Sequence, residues 1–441
     1  MPVVLDSYLA EAERISAERR RTDPEWLVRV RREAAGRFET LGFPTSRDEE
    51  WRFTSVAPIA EGRFVAGRDG TASVTRADLA PFEWPGHRAA TLVFVNGRYA
   101  EGLSDGGRLP AGVRVQSLAR ELTNPPEWLQ AHFSRTAAID RKPFTALNTA
   151  FVTDGAVVYV PESTAIEAPI HLLFLSAGES DADQNMAHPR VLVVMGANSQ
   201  ATVVETYGEA RGGRYLTNTV TDVVAARNAT LHHYKVQRES SASFHMGAMY
   251  LRAERDANLL CHSISLGGLL VRNDVNVVLD GEGAGCTLNG LYVSDGTRHV
   301  DNHTTIEHAR PHCASREVYK GILAGRARAV FNGKIIVRPD AQKTDAKQTN
   351  KALLLSEDAQ IHTKPELEIY ANDVKCTHGA AIGQIDDEAI FYLRARGIGE
   401  REARHVLIRA FAGDVLNLMP LEALRARIDE ELVRRLPEWR A

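Results

Sequence analysis

The chain has 441 residues, 44% of them hydrophobic and 25% charged, which is ordinary globular material with room for two or three domains. A net charge of −4 argues against a general nucleic-acid binder, and four scattered cysteines (Cys261, Cys286, Cys313, Cys376) without a CxxC pair offer neither a zinc ribbon nor a thioredoxin motif and suit a reducing compartment better than a disulfide framework. The N-terminal segment carries no apolar h-region and no apolar run is long enough to span a membrane, so the expected location is cytoplasmic, with neither membrane nor nucleic acid as partner.

Residues 1–89 read as an N-terminal helical domain. In TDPEWLVRVRREAAGRFETLGFP, Asp23 is placed to cap, Pro24 to take the first helical position, and Gly42 and Pro44 to end the run. Leu27, Val30, Ala34, Phe38 and Leu41 recur at three- and four-residue steps and define one apolar face. The arginines crowded between 14 and 37 are interleaved with glutamates, which predicts a solvated helix face rather than a nucleic-acid patch. FPTSRDEEW, residues 43–51, follows as a loop.

From 90 to 385 the pattern changes to strand. Runs such as HLLFLSA, RVLVVMGANSQATVVE and NVVLDGEGAGCTLNGLYV alternate with turn residues. Aligned by their turns, Ala201, Ala229, Ala257 and Ala284 fall 28, 28 and 27 residues apart. A steady period of this size signals stacked repeats, each burying its apolar face on the next. The expected fold class is mainly β: a right-handed parallel β-helix core with about two strands per coil, flanked by N-terminal and C-terminal α-helical regions. An antiparallel sandwich is the alternative, with less reason to keep the period. The open ends of a solenoid expose strand edges that must be capped or paired.

Residues 386–441 return to helix. Asp386 can cap EAIFYLRAR and Gly397 can close it. A second helix, from about 400 to 412, aligns Ala403, Val406, Leu407, Ala410 and Phe411; a third aligns Leu421, Leu424, Ile428, Leu432 and Leu436. These helices either cap the end of the solenoid or present a groove to a partner.

Three stretches invite chemistry. RHVDNHTTIEHARPHC gathers His299, His303, His308, His312 and Cys313, but the turn at Ala309–Arg310–Pro311 breaks the register and HExxH is absent, which disfavours a metal site made by this stretch alone. VRPDAQKTDAKQTNK, with Asp340, Lys343, Asp345 and Lys347, is the one line resembling the acid-and-base face of β-helix carbohydrate enzymes; its polarity also suits a solvent-facing loop. There is no P-loop and no GxSxG elbow, and the glycines of LDGEGAGC fit turns. In DVKCTHGAAIGQIDDE, Cys376 and His378 share one strand face with Val374. That spacing permits half a metal site, a nucleophile beside its base, or a core strand end with His378 at its rim.

DNHTTIEHARPHCASREVYKGILAGRARAVFNGKIIVRPDAQKTDAKQTNKALLLSEDAQIHTKPELEIYANDVKCTHGAAIGQIDDEAIFYLRARGI closely resembles the shared core of the SufB/SufD family, scaffold subunits of the Suf iron–sulfur cluster assembly machinery. The likeness runs from about 299 to 415 and extends more weakly over the central repeats, while FPTSRDEEWRFT (43–54) resembles the SufD-type N-terminus. KCTHGA, and a segment lacking the cysteine that the SufB branch carries, resemble the SufD branch. A SufB-type paralogue, which looks like EHEA at the opening motif, is the alternative, and a β-helix carbohydrate-active enzyme is the third reading.

The resemblance implies a non-enzymatic scaffold supporting de novo cluster formation and iron acquisition. It implies pairing with a SufB-like subunit through the β-helix core, and with a SufC-like ABC-type ATPase through the C-terminal helices, which accounts for the missing P-loop; a homodimer of the isolated chain stays open. The ATPase-docking residues are then Asp386, Glu388, Phe391, Tyr392, Arg394, Arg396 and Gly397. The histidine of the family's C-x-H-G motif, associated with nascent clusters at the interface, maps onto His378, and its cysteine onto Cys376. Since a cluster typically takes four ligands, these two make at most a transient half-site for iron or a nascent cluster, completed by another chain, with no permanently bound cofactor.

Overall fold

The computed structural model describes residues 2–66, 73–133, 140–177 and 184–435, with side chains from residue 5 onward. From Gly155 to Gly383, apart from a short strand at Gln184–Ala187, successive strands alternate between two sheets, and each pairs in parallel with the next strand of its own sheet. The product is a parallel β-solenoid with helices at both chain ends, as the repeat predicts.

Each coil turns at an equivalent place. Asn198, Asn228, Asp256, Gly283, His312 and Lys343 adopt positive φ, between 55° and 73°. Their N–H groups donate to the carbonyls of Arg227, Arg255, Glu282, Pro311, Gln342 and Asp373, each at the corresponding corner one coil on. A left-handed residue reverses the chain sharply, and Asn, Asp and Gly tolerate it best. The residue after it is small and buried: Ser199, Ala229, Ala257, Ala284, Cys313 and Thr344 fill the inside of the bends.

The register aligns Gln200, Thr230, Asn258, Gly285, Ala314 and Asp345, so the coils run 30, 28, 27, 29 and 31 residues. Ala201 therefore lies under Leu231, inside its strand, and Ser199 holds the corner that sequence alignment assigned to Ala201. Small residues recur both at corners and within strands, so they do not fix the register alone. Inside the solenoid, large and small side chains interlock. Tyr319 fills the space over Gly290, and Tyr292 the space over Gly321; a Cβ on either glycine would come within 2.2 Å of the ring.

The N-terminal end of the solenoid is closed. Arg98–Tyr99 and Arg114–Ser117 add antiparallel to Ala90–Val95 and Gly155–Val160. Helices α1 (Pro2–Arg19), α2 (Glu25–Leu41), α3 (Ala57–Ala60), α4 (Leu118–Glu121), α5 (Glu127–His132) and α6 (Pro143–Phe151) precede the regular coils. Tyr8, Ile15 and Phe38 pack through Phe144, Leu147 and Phe151 onto Leu216, Phe244 and Leu270. Helices α4 to α6 fall inside the span expected to be strand. In α6 every residue from Phe144 to Phe151 is buried, so there is no polar face to betray the helical period.

Asp23 does not cap α2. Its carboxylate pairs with Arg31 at 2.5 Å, and Pro24 occupies the cap position without a side-chain bond, while Gly42 closes the helix by donating to Phe38. The arginine-rich helices are charge-paired, Arg14 to Glu11 and Glu18, Arg37 to Asp140.

Three further helices follow the last coil: α7 (Asp387–Arg394), α8 (Glu400–Leu416) and α9 (Glu422–Arg435). Neither α8 nor α9 covers the solenoid's end. Ile408, Ala412, Val415, Leu424, Ile428 and Leu432 lie against Tyr234, Ile264, Leu291 and Ile322 on the outer face of one sheet. The buried face of α8 is Ala403, Ile408, Ala412, Val415 and Leu416, and Val406, expected inside, is 45% exposed. The sheet surface chooses that face, and the sequence of α8 offers apolar residues on more than one. In α9, Leu424, Ile428 and Leu432 are buried as expected, and Leu436 lies outside the described residues. Among the described residues no helix is long and apolar enough to cross a membrane.

Candidate functional site

Inward-facing positions stack coil on coil. One register column holds Val203, His233, Cys261, Leu288, Glu317, Gln348 and His378; its neighbour holds Ala201, Leu231, Leu259, Cys286, Ser315, Ala346 and Cys376. All members up to Gln348 and Ala346 are buried, because a further coil covers them. No strand follows Gln360–Ile369 or Lys375–Gly383 in either sheet among the described residues, so the last coil is an open mouth. His378 is exposed there and Cys376 half-buried.

The two residues differ in environment. Cys376 joins Val374 and Leu367 against Ile335, Val337 and Ala346, and burial pushes its thiol up from the ordinary value. A thiol shifted that way is the reverse of what a nucleophile beside a base requires. Cys376 thus ends a core column, and His378 is the group presented to solvent. The structure brings the pair to one mouth.

Beneath the mouth lie polar groups that no motif announces. Gln348 Nε2 donates to Glu317 at 2.8 Å. Burial raises the Glu317 carboxyl to about 7, with Thr304 and Gln348 opposing the rise. Deeper, Glu205 accepts from Tyr207 and Thr221 and pairs with His233 at 2.8 Å, and Glu239 pairs with His245 at 2.6 Å. Lys235 donates to Asn273 at 2.9 Å, and burial lowers its ammonium to about 8. The signal that would have found Gln348 and Glu317 is the coil register: stepping back 30 and then 31 residues from His378 lands on each.

The histidine-rich stretch does not converge. His299 meets the Thr54 hydroxyl on the outer face at 2.9 Å, His303 lies 3.0 Å from Asp301, His308 points inward to Ser315, and His312 occupies a left-handed corner. Among the described residues no group of three His, Cys, Asp or Glu is arranged to hold a metal. The acid-and-base line 337–351 is likewise dispersed: Asp345 pairs with Arg316 at 2.6 Å, and Lys343 with Asp373. FPTSRDEEWRFT is more than a loop. A 3-10 turn at Glu49–Trp51 leads to Phe53 stacked on His362 at 3.9 Å and Thr54 donating to the buried Asp301 at 2.5 Å.

The seven residues assigned to ATPase docking gather on α7 and its flanks, and all are exposed. The Asp386 carboxylate caps α7 by accepting from the Glu388 N–H at 2.9 Å. Phe391 and Tyr392 are 74% and 55% exposed, Arg396 lies over the Tyr392 ring at 3.7 Å, Arg394 pairs with Glu400, and Gly397 turns the chain at φ 87°. Ile390 alone is the buried residue of this helix.

A parallel β-solenoid with one open mouth and an exposed aromatic helix beside it defines the structural class. Its particular kind follows from comparison. Residues 176–411 match the family described as SUF system FeS cluster assembly, SufBD core domain, and residues 6–172 match the SufBD protein N-terminal region. The chain belongs to the SufBD family of iron–sulfur cluster assembly proteins. It is 36% identical to an iron–sulfur cluster assembly SufBD family protein of Synechocystis, over 92% of this chain and 90% of that one. It is 33% identical to the iron–sulfur cluster assembly protein SufD of Escherichia coli, over 90% of each, and 24% identical to that of Bacillus subtilis, over 94% and 95%.

Proposed function

We propose that the chain is the SufD-type scaffold of a cytoplasmic cluster-assembly complex, without catalytic activity of its own, that supports cluster formation and iron acquisition. Its open mouth pairs with a SufB-like subunit, and α7 docks a SufC-like ABC-type ATPase. His378 supplies a ligand for iron or a nascent cluster at the first of these interfaces, and Cys376, two residues before it on the same strand face, joins it transiently. The observation that carries this reading is His378 exposed at an uncovered coil whose strands have no further partner in either sheet among the described residues. Imidazole suits iron, and a site needing about four ligands must borrow the others from a second chain. Four free cysteines suit a reducing compartment.

The test is co-expression with a SufB-like and a SufC-like chain, followed by native mass measurement and iron and sulfide analysis after assembly. A complex containing all three chains, with His378→Ala assembled but poor in iron and sulfide, is expected. A chain that purifies only by itself or as a homodimer in their presence overturns the partner assignment.

A further inference from the structure

Gln348 lies one coil beneath His378 in the inward column and is only 2% exposed. Its Nε2 is committed to Glu317 at 2.8 Å, and above about pH 7, where Glu317 is ionised and can only accept, the amide nitrogen must be the atom that faces it. The remaining amide atom, Gln348 Oε1, is buried without a hydrogen-bond partner. A buried carbonyl oxygen normally has one. The side chain above it in the column is the imidazole of His378, on the neighbouring strand, whose backbone runs about 4.8 Å away.

A histidine that ligates metal does so through a neutral ring, and its other N–H is commonly held by a carbonyl or carboxylate that fixes tautomer and orientation. We propose that Gln348 is the positioning residue for His378: Gln348 Oε1 accepts one ring N–H, and the opposite ring nitrogen turns its lone pair out of the mouth. The inference rests on the reading of His378 as an interfacial ligand. Glu317 takes part from below, since its grip on Nε2 keeps the amide from rotating. The arrangement is a three-rung stack, with carboxylate, amide and imidazole on successive coils, leading from the closed interior to the open end.

The test is nitrogen-15 NMR of the histidine rings in the full-length chain at pH 8, above the value of about 7 to which burial raises Glu317. His378 signals are assigned by their loss in His378→Gln. A single His378 tautomer in the wild type and a mixture in Gln348→Leu are expected. Gln348→Glu combined with Glu317→Gln keeps an acceptor of the same reach and a donor beneath it, and restores the single tautomer. In the assembled complex, added ferrous iron should bind roughly ten- to a hundredfold more weakly to Gln348→Leu, and close to normally to Gln348→Glu combined with Glu317→Gln. Should Gln348→Leu melt far below the wild type, Gln348→Leu combined with Glu317→Leu removes the stranded carboxyl and takes its place. An unchanged tautomer in the leucine variant overturns the positioning role even where His378→Ala loses clusters. Normal cluster yield in His378→Ala overturns the ligand reading itself, which the tautomer measurement does not touch.

Discussion

His378 and Cys376 are two residues apart on one strand, yet the fold treats them differently. Cys376 extends a column of core residues and packs on Ala346, whereas His378 has solvent above it. His378→Ala is therefore expected to change stability by less than about 0.5 kcal/mol while sharply lowering iron and sulfide in the assembled complex. Cys376→Ala should do the opposite, costing about 1 kcal/mol of packing with a smaller effect on cluster content. Urea titrations alongside iron and sulfide analysis separate the two patterns. Glu317 gives a pH signature. Its carboxyl rises from 4.5 to about 7 on folding because it is buried. A raised acid stabilises the fold while protonated, so its contribution is complete below about pH 4.5 and is lost as pH rises through about 7. Glu317→Gln should remove that slope, and the gap between the two stability curves should change by up to about 3 kcal/mol across this window and stay flat above it.

Among the elements, the two terminal strands are unequal. Gln360 and Tyr370 donate their N–H groups back to Ala327 and Val337, so even-numbered residues of Gln360–Ile369 bond the previous coil and odd-numbered ones face the free edge. Pro365 is odd and brings no N–H, which interrupts that edge at its centre. In Lys375–Gly383 the N–H of Lys375 donates to Thr344, leaving the amides of Cys376, His378, Ala380 and Ile382 facing outward with no proline among them. Hydrogen exchange on the proposed complex should protect these four amides and leave the edge of Gln360–Ile369 comparatively open; the reverse pattern counts against pairing through Lys375–Gly383. Helix α7 makes a second expectation. Phe391→Ala and Tyr392→Ala remove side chains that are 74% and 55% exposed, so stability should hold while affinity for the ATPase falls about tenfold, measured by titration calorimetry.

Over the whole molecule, α8 and α9 form a lid along the solenoid's flank rather than a plug at its end. Ile408→Ala or Leu432→Ala should cost about 2–4 kcal/mol by urea unfolding, because each leaves a cavity between helix and sheet. Deleting 386–441 would expose that sheet face, so loss of ATPase binding in such a truncation would not by itself implicate α7.

The steady 27- to 28-residue period of turn residues pointed to the solenoid over a sandwich, because a repeated corner needs a residue that tolerates positive φ followed by a small one. Asn228–Ala229 and Asp256–Ala257 carry both in plain view. The helix α9 stripe was equally legible, since Leu424, Ile428 and Leu432 have one face only. The motif around His378 was readable as a candidate, and its spacing left three meanings open. What the tertiary structure decided was everything that depends on register between coils. Ala201 looked like a corner and is a strand residue. Gln348 and Glu317 lie 30 and 61 positions before His378 in the sequence, yet they sit directly beneath it. The buried face of α8 and the fully buried α6 were likewise chosen by the surfaces they meet. Local sequence specifies where a chain turns and which side of a strand a residue occupies; which coil lies above another, and whether anything lies above the last, is settled by contacts between residues far apart in the chain.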